Sequence, residues 1–410
     1  MKTATLNGWI RNTVMMISVT NLNITVSNLI DDSSAEDVKK GYDIQGIPWL
    51  GPSRDLNRWE RLEYYVNVED VAHSGRDSEK ALQESTPTEK GQVYYEFEYN
   101  TRAVKPIISH FQLRNLVWAT TKHDVYLIGD YSALHWSSLT LEKREVIDLL
   151  GHVTPSEVHE GSLSKGFFKP EVCSLAVRDN LLVAGGFNGE IICKIFENPS
   201  GSVHFLASNI DRQVRDFDVE TFKICNNLHF PWIVHPWIVH HTSLSPDGKL
   251  AVVVGDSTNG LLVDACSGQR LHELRDHLDY SFASAWNPDG QTFATGNQDM
   301  TCRVWDVRNL SQSVVTLRGN IGAIRTIRYT SDGKFMAMAE SADFVHIFDV
   351  ASGFRRRQEL DFFGEVAGMS SARTPRRFML ASTTRRSAAS SSSIGGGSTR
   401  TLMQSFERSL

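Results

Sequence analysis

Short runs in which apolar and polar residues alternate recur along most of the chain, separated by turn residues. The clearest stretch is His277–Asp306, HLDYSFASAWNPDGQTFATGNQDMTCRVWD. It holds a Pro-Asp-Gly turn, a second turn ending in Asp299, and a closing Trp-Asp pair, each preceded by a period-two run that predicts a strand. The same layout flanks it. SPDGK at Ser245–Lys249 precedes VDACSG, and SDGK at Ser331–Lys334 precedes FDVASG. The turn aspartates Asp247, Asp289 and Asp332 lie 42 and 43 residues apart, and each is followed 17 residues later by Asp264, Asp306 or Asp349. An internal period in the low forties, closed by Trp-Asp or a degenerate copy, predicts a ring of four-stranded blades, an all-β propeller.

Three blades are clear in this pattern: about 241–276, 277–320 and 321–363. Upstream, Val93–Tyr99 alternates like a first strand. Leu116–Leu139 reads as strands with His135-Trp136 in the Trp-Asp place. Val172–Glu197 is another blade centre, with a hairpin turn at Asn188-Gly189. Phe217-Asp218 lies only 21 residues beyond Phe196-Glu197, so one or two strands are missing there or that blade is irregular. A five-residue duplication follows, with PWIVH at Pro231–His235 repeated at Pro236–His240. Another blade begins at Gly364–Ser370 and the pattern then stops. The expectation is about seven blades, six of them recognisable and some incomplete. An unpaired edge is expected near 364–370, and a second irregularity near 195–240.

Three regions follow. Residues 1–92 form an N-terminal extension, with 14 acidic against 8 basic residues from Asp31 to Lys90, and are expected to be partly disordered. Within them Leu56, Trp59, Leu62 and Tyr65 or Val66 recur at helical spacing after Pro52, predicting a helix near 53–70. That helix would pack on the propeller or dock a partner. Residues 93–370 form the propeller. Residues 371–410, with seven Arg, ten Ser and Gly395–Gly397, read as a disordered tail.

Bulk composition narrows the function. A net charge of -6 argues against a general nucleic-acid binder, leaving only a weak case for RNA or chromatin contact through the Arg-bearing tail. Five cysteines without a CxxC pair suit a reducing compartment. The apolar run Val14–Ile30 is too interrupted by Ser, Thr and Asn to span a bilayer. A soluble cytoplasmic or nuclear protein with no membrane contact is expected.

Four residues of the central repeat, His277, Thr295, Asp299 and Trp305, stand where WD-repeat proteins, which these repeats resemble, place a buried hydrogen-bonded set. A His beside an Asp and a hydroxyl also resembles a catalytic triad. The structural reading prevails because each group satisfies another's polar atom. The flanking repeats lack the set and are expected to rely on apolar packing. His229, His235, His240 and His241 owe their spacing to the duplication, so no metal site is expected. No phosphate loop, nucleophile elbow or cofactor fingerprint is present, and neither a catalytic site nor a cofactor is expected. Arg355–Arg357 reads as a solvated loop.

On these residues the chain resembles the WD40-repeat superfamily. More narrowly it is similar to uncharacterised plant and fungal WD-repeat (transducin-like) proteins, over about 41–370. The matching stretches include DIQGIPW (Asp43–Trp49), VRDFD (Val214–Asp218), HTSLSPDGK (His241–Lys249) and FATGNQDMTCRVWDVRNLS (Phe293–Ser311). The resemblance implies a propeller without enzymatic activity that binds other proteins. Phe293–Arg308 further resembles the box by which WD40 substrate receptors engage the adaptor of a cullin–RING ubiquitin ligase, with Arg308 two positions beyond Asp306. Candidate docking residues are therefore Trp305, Asp306, Arg308, Trp49 and Trp59.

Overall fold

Strands form wherever the alternation predicts them, and in two places where composition argued against them. The computed structural model describes residues 34–39, 58–59, 69–72, 74, 85–110, 112–129, 131–153, 167–197, 203–209, 211, 213–229, 238–372, 377–385 and 399–408. A five-residue helix, α1 (Ala35–Lys39), precedes the sheets. The helix expected at 53–70 lies almost wholly outside the described residues, only Arg58 and Trp59 being described as helical.

β1 (Tyr95–Thr101) comes first in the chain and joins the last blade. The first blade is β2 (Val117–Ala119), β3 (Asp124–Gly129), β4 (Ser132–Ser137) and β5 (Glu142–Asp148). A small hairpin of β6 (His152–Val153) and β7 (Phe167–Phe168) leads to the second blade, β8 (Val172–Arg178), β9 (Leu181–Gly186) and β10 (Ile191–Ile195). The third blade is β11 (His204–Ser208), β12 (Gln213–Asp218) and β13 (Ile224–His229). Two regular blades follow: β14 (Val239–Leu244), β15 (Leu250–Gly255), β16 (Gly260–Asp264) and β17 (Arg270–Leu274), then β18 (Ser281–Trp286), β19 (Thr292–Asn297), β20 (Thr301–Asp306) and β21 (Val315–Arg318).

The sixth and seventh blades are fused through one long strand. β22 (Ile324–Tyr329), β23 (Phe335–Glu340) and β24 (Ala342–Asp349) pair with the first part of β25 (Arg357–Ser371). The second part of β25 pairs with β26 (Arg377–Arg385), β26 with β27 (Thr399–Arg408), and β27 with β1. Among the described residues seven blades result, five of four strands and two of three.

The last blade corrects two expectations. Residues 371–410 are not merely a disordered tail: they contribute two strands, and the 364–370 edge is paired, with Glu365 opposite Thr383 and Ser371 opposite Phe378. Average composition concealed short runs able to fill a core. Phe378, Met379, Leu380, Ala381 and Ser382 are all buried, as are Met403, Gln404 and Ser405. A blade strand packs on both faces, so four or five consecutive apolar or small residues suffice. The N-terminal β1 then shuts the ring. Tyr95 is buried edge-on against Phe378, with ring centroids 4.7 Å apart, and Gln358 Oε1 accepts from the Tyr94 and Tyr95 amides at 2.8 Å. Closing the sheet on itself removes the edge strands that otherwise invite aggregation.

The repeated turns share one chemistry. Ser245 and Thr330 hydroxyls donate to Asp247 and Asp332 at 2.6 Å, and the following glycines adopt positive φ (Gly248 +73°, Gly333 +66°). A side chain at Gly333 would also meet Asn287 Oδ1 at 2.7 Å, so glycine is required on two counts. Between blades the core is continuous. Cys302, Val304 and Leu317 of the fifth pack on Ile327, Met336, Met338 and Phe348 of the sixth.

Ahead of β1, residues 85–94 strap the outer rim. The Thr86 amide donates to Thr316 O (2.8 Å) on β21, and Glu89 exchanges hydrogen bonds with Arg355 O (2.7 Å) and the Arg357 amide (2.9 Å). The strap thus crosses the fifth and sixth blades before entering the seventh as β1.

Candidate functional site

The fifth blade carries the polar set predicted from its repeat, placed by β19, β20 and the loop before β18. Trp305 Nε1 donates to Thr295 Oγ1 at 2.9 Å. The Thr295 oxygen lies 2.9 Å from His277 Nε2, and His277 Nδ1 lies 3.0 Å from Asp299 Oδ2. Because Thr295 already accepts from the indole, its own proton goes to Nε2, which places the imidazole proton on Nδ1, facing the carboxylate. Asp299 also accepts from the Leu278 amide (3.0 Å), the Thr301 amide (2.9 Å) and the Thr301 hydroxyl (2.6 Å). Burial pushes the Asp299 carboxyl up, but the His277 ring and these donors outweigh it and hold it below the usual range. All four side chains are buried, so the set joins the interblade loop to the β19–β20 turn and offers no access to a substrate.

The sixth blade, expected to rely more on apolar packing, uses a different polar device. Glu340, at the end of β23, accepts from the Asn320 amide through Oε1 (2.6 Å), and from the Ile321 and Gly322 amides through Oε2 (both 2.7 Å). His346 Nε2 lies 2.7 Å from Oε1, and both side chains are fully buried. One carboxylate thereby ties the interblade loop to the blade. Its signal in sequence is a glutamate ending an otherwise apolar strand, FMAMAE.

The candidate docking residues separate by exposure. Trp305 is only 1% exposed, which corrects its place among them; the indole is consumed by Thr295 and the core. Arg308 lies 69% exposed. Its guanidinium grips Asp306, with Nε 2.9 Å from Oδ1 and Nη2 2.5 Å from Oδ2, and these hydrogen bonds lower the Asp306 pKa. Trp59 is 61% exposed, and Trp49 lies outside the described residues.

Beside Trp59, Arg58 turns inward. It donates from Nε to Asp343 (2.8 Å), pairs with Asp361, and stacks on Phe344 with 4.6 Å to the ring centroid. Farther along, Asp279 accepts from the Asp70 and Val71 amides (3.2 Å each) and the Ser74 hydroxyl (2.5 Å). The N-terminal extension is therefore fastened across loops of the fifth and sixth blades, through partners more than 200 residues away in sequence.

Two Arg expectations also change. Arg377 and Arg408 are committed to Glu98 and Asp332, so these two do not form a free basic arm. Arg357 is buried, although Arg355–Arg357 reads as a solvated run. Of the histidines around the duplication, His240 pairs with Asp256 (Nε2 to Oδ1 2.9 Å) and His241 Nδ1 with Ser284 Oγ (2.9 Å).

Comparison with known proteins bears on the fifth blade first. The WD40 family, "WD domain, G-beta repeat", matches residues 268–306, the stretch that contains the buried set. The chain is a WD40-repeat protein. WD40 propellers are typically non-catalytic. Among curated WD40 relatives, human DDB1- and CUL4-associated factor 10 is 28% identical over 111 residues, covering 27% of this chain and 20% of the relative. The guanine nucleotide-binding protein subunit beta of Oryza sativa is 26% identical over 192 residues, 44% of each chain. Pre-mRNA-processing factor 19 homolog 2 of Arabidopsis thaliana is 24% identical over 207 residues, 44% of this chain and 38% of the relative. The chain spans less than half the length of these relatives.

Proposed function

We propose that this WD40 chain is a non-enzymatic scaffold that docks other proteins on its loops and rim, in the cytoplasm or nucleus. The observation that carries this reading is the closure of the His277–Asp299–Thr295 set. Its imidazole, carboxylate and hydroxyl are spent on one another, on Trp305 and on backbone amides, so the one triad-like constellation predicted from the sequence serves the fold. Exposed Trp59, beside the anchored Arg58, is the kind of large aromatic that dominates binding energy at interfaces. Affinity purification of the full chain and of Trp59→Ala, with fluorescent-fusion imaging of the same cells, tests the scaffold and its compartment. Partners retained by wild type and lost by the variant support it. A catalytic turnover abolished by changing one polar residue overturns it.

A narrower reading is that of substrate receptor for a cullin–RING ubiquitin ligase. It is favoured by the exposed Arg308 held by Asp306 immediately after the Trp-Asp pair, and by the likeness to DDB1- and CUL4-associated factor 10. Asp306 fixes the guanidinium in place, so less side-chain freedom is lost when an acidic partner surface meets it. Co-precipitation of DDB1 with wild type and Arg308→Ala tests this, and a fall of about tenfold or more is expected for loss of one charge-assisted contact. Equal recovery of DDB1 from both removes the adaptor reading and leaves the scaffold standing.

A further inference from the structure

A cavity of about 330 Å³ lies where the rim strap passes between the outer strands of the fifth and sixth blades. Its walls are strap residues Ser85–Thr88 and Lys90, the end of β21 with the loop after it (Arg318–Asn320), and Arg357 at the start of β25. The lining carries three cations and no carboxylate.

The buried cation is the informative one. Arg357 is 6% exposed, donates from Nη1 to Arg318 O at 3.1 Å, and places Nη2 3.2 Å from Glu359 Oε2. Its Nε is buried and has no hydrogen-bond partner among the described residues. A buried N–H of a charged group left without an acceptor is costly and rare, and marks a place where something accepts.

The nearby acids do not neutralise the site. Glu359 is shared between Arg357 and Lys90 Nζ (3.1 Å), with His346 Nδ1 at 3.5 Å. Glu340 lies behind the Gly319–Asn320 loop, and three backbone amides and His346 engage it. Arg318, exposed at the mouth, forms no ion pair among the described residues. Thr86 and Thr88 hydroxyls stand on the strap side. Guanidinium groups converging with hydroxyls on a polar cavity suit a tetrahedral oxyanion, which accepts several donors at once.

We propose that this cavity binds a phosphate group, either free or carried on a serine or threonine side chain of a partner, with Arg357, Arg318 and Lys90 as its ligands. A phosphomonoester brings about -1.5 to -2 charges at neutral pH and three acceptor oxygens, enough to engage all three cations. Because residues 85–90 form one wall and lead into β1, occupancy would also tie the strap to the blades it crosses.

The test is calorimetric titration of the full chain at low salt with three probes: inorganic phosphate, a threonine-phosphorylated peptide, and the same peptide unmodified. Arg318→Gln and Lys90→Gln avoid the core, since both side chains are exposed. Binding of a phosphate-bearing probe, absent for the unmodified peptide and weakened about tenfold by each variant, is expected. Tighter binding of the phosphopeptide than of inorganic phosphate assigns the site to a modified partner; equal binding assigns it to the free ion. No binding of either phosphate probe, or unchanged binding by the double variant, overturns the proposal. Arg308→Ala should bind all probes as wild type does, so failure here is distinguishable from failure of the adaptor reading.

Discussion

Replacing Asp299 with alanine removes an acceptor shared by four buried donors: His277 Nδ1, the Leu278 amide, and the Thr301 amide and hydroxyl. Each orphaned donor costs about 1–3 kcal/mol, part of which relaxation and water recover, so a net loss of about 4 kcal/mol is expected. Thr301 Oγ1 lies 3.3 Å from His277 Nδ1, close enough to satisfy one donor and keep the loss toward the lower end of the four-donor sum. With an unfolding entropy of about 2.1 cal/mol/K per residue over roughly 300 ordered residues, that loss lowers Tm by about 6 °C. Urea denaturation followed by tryptophan fluorescence measures it, with Asp264→Ala as the control in an exposed turn. The set also has a pH signature. The folded Asp299 carboxyl lies below its unfolded value, so its contribution is fully present above pH about 4 and disappears as pH falls through the folded value. An Asp299→Ala chain within about 1 kcal/mol of wild type would refute the view that this set ties the fifth blade together.

Two further outcomes follow from ring closure and from two half-buried histidines. Deleting residues 399–410 removes β27 from between β26 and β1, exposing two strand edges; oligomers or aggregates should appear in size-exclusion chromatography at concentrations where the full chain is monodisperse, and an unchanged elution profile would contradict closure by β1. His241 is held down to about 3 by burial and by Arg328, and His110 to about 4 by burial, then His240, Arg114 and Arg325. Below pH about 6.5 the unfolded chain takes up protons that these folded rings refuse, so stability should fall as pH drops from about 6.5 toward 4. His241→Gln, which can still bond Ser284, should flatten that slope in urea midpoints measured at pH 7 and pH 5; an unchanged slope would remove His241 as a contributor.

How much was legible depends on whether a feature repeats. The Ser245–Lys249, Asn287–Gln291 and Thr330–Lys334 turns recur because each needs a capping side chain, an Asp and a positive-φ glycine at set offsets. The period that they mark predicted the three regular blades, and the family resemblance it carries implied the buried set at His277, Thr295, Asp299 and Trp305. Arg58 with Asp343 and Asp361, and Asp279 with Asp70 and Ser74, leave no such trace, because partners that far apart in sequence make no pattern. Arg357 was misread for a related reason. Two exposed arginines precede it, while its own side chain is buried beside Arg318 O and Glu359 and its backbone pairs with Glu89 of the strap. The C-terminal strands were hidden by averaging: over 40 residues Ser and Arg dominate, whereas burial is decided by FMLA and MQS.

The weak place of the ring is not where its ends meet. Phe217-Asp218 follows Phe196-Glu197 by half a repeat, and the topology shows which strands the described residues lack there. β12 ends in Asp218 as β16 ends in Asp264 and β20 in Asp306, so it is a third strand, and β11 before it is a second strand. Among the described residues the second blade therefore has no fourth strand and the third has no first. Burial agrees: Thr292–Asn297 of β19 is buried at five of six positions, whereas no residue of β11, its counterpart, is fully buried. On β10, Gly186 donates to Glu190 O and Phe196 to Asn180 O, so residues 190, 192, 194 and 196 point their amides and carbonyls inward to β9. Ile191, Cys193 and Ile195 must then present theirs on the opposite side, beyond which no described strand lies. Side-chain packing ties the third blade on its other side: Val214 and Leu228 are buried against Ala251, Val253, Leu261 and Val263 of the fourth. The short third blade is thus held to the fourth by side-chain burial, while β1 and β27 close the chain ends by a continuous ladder.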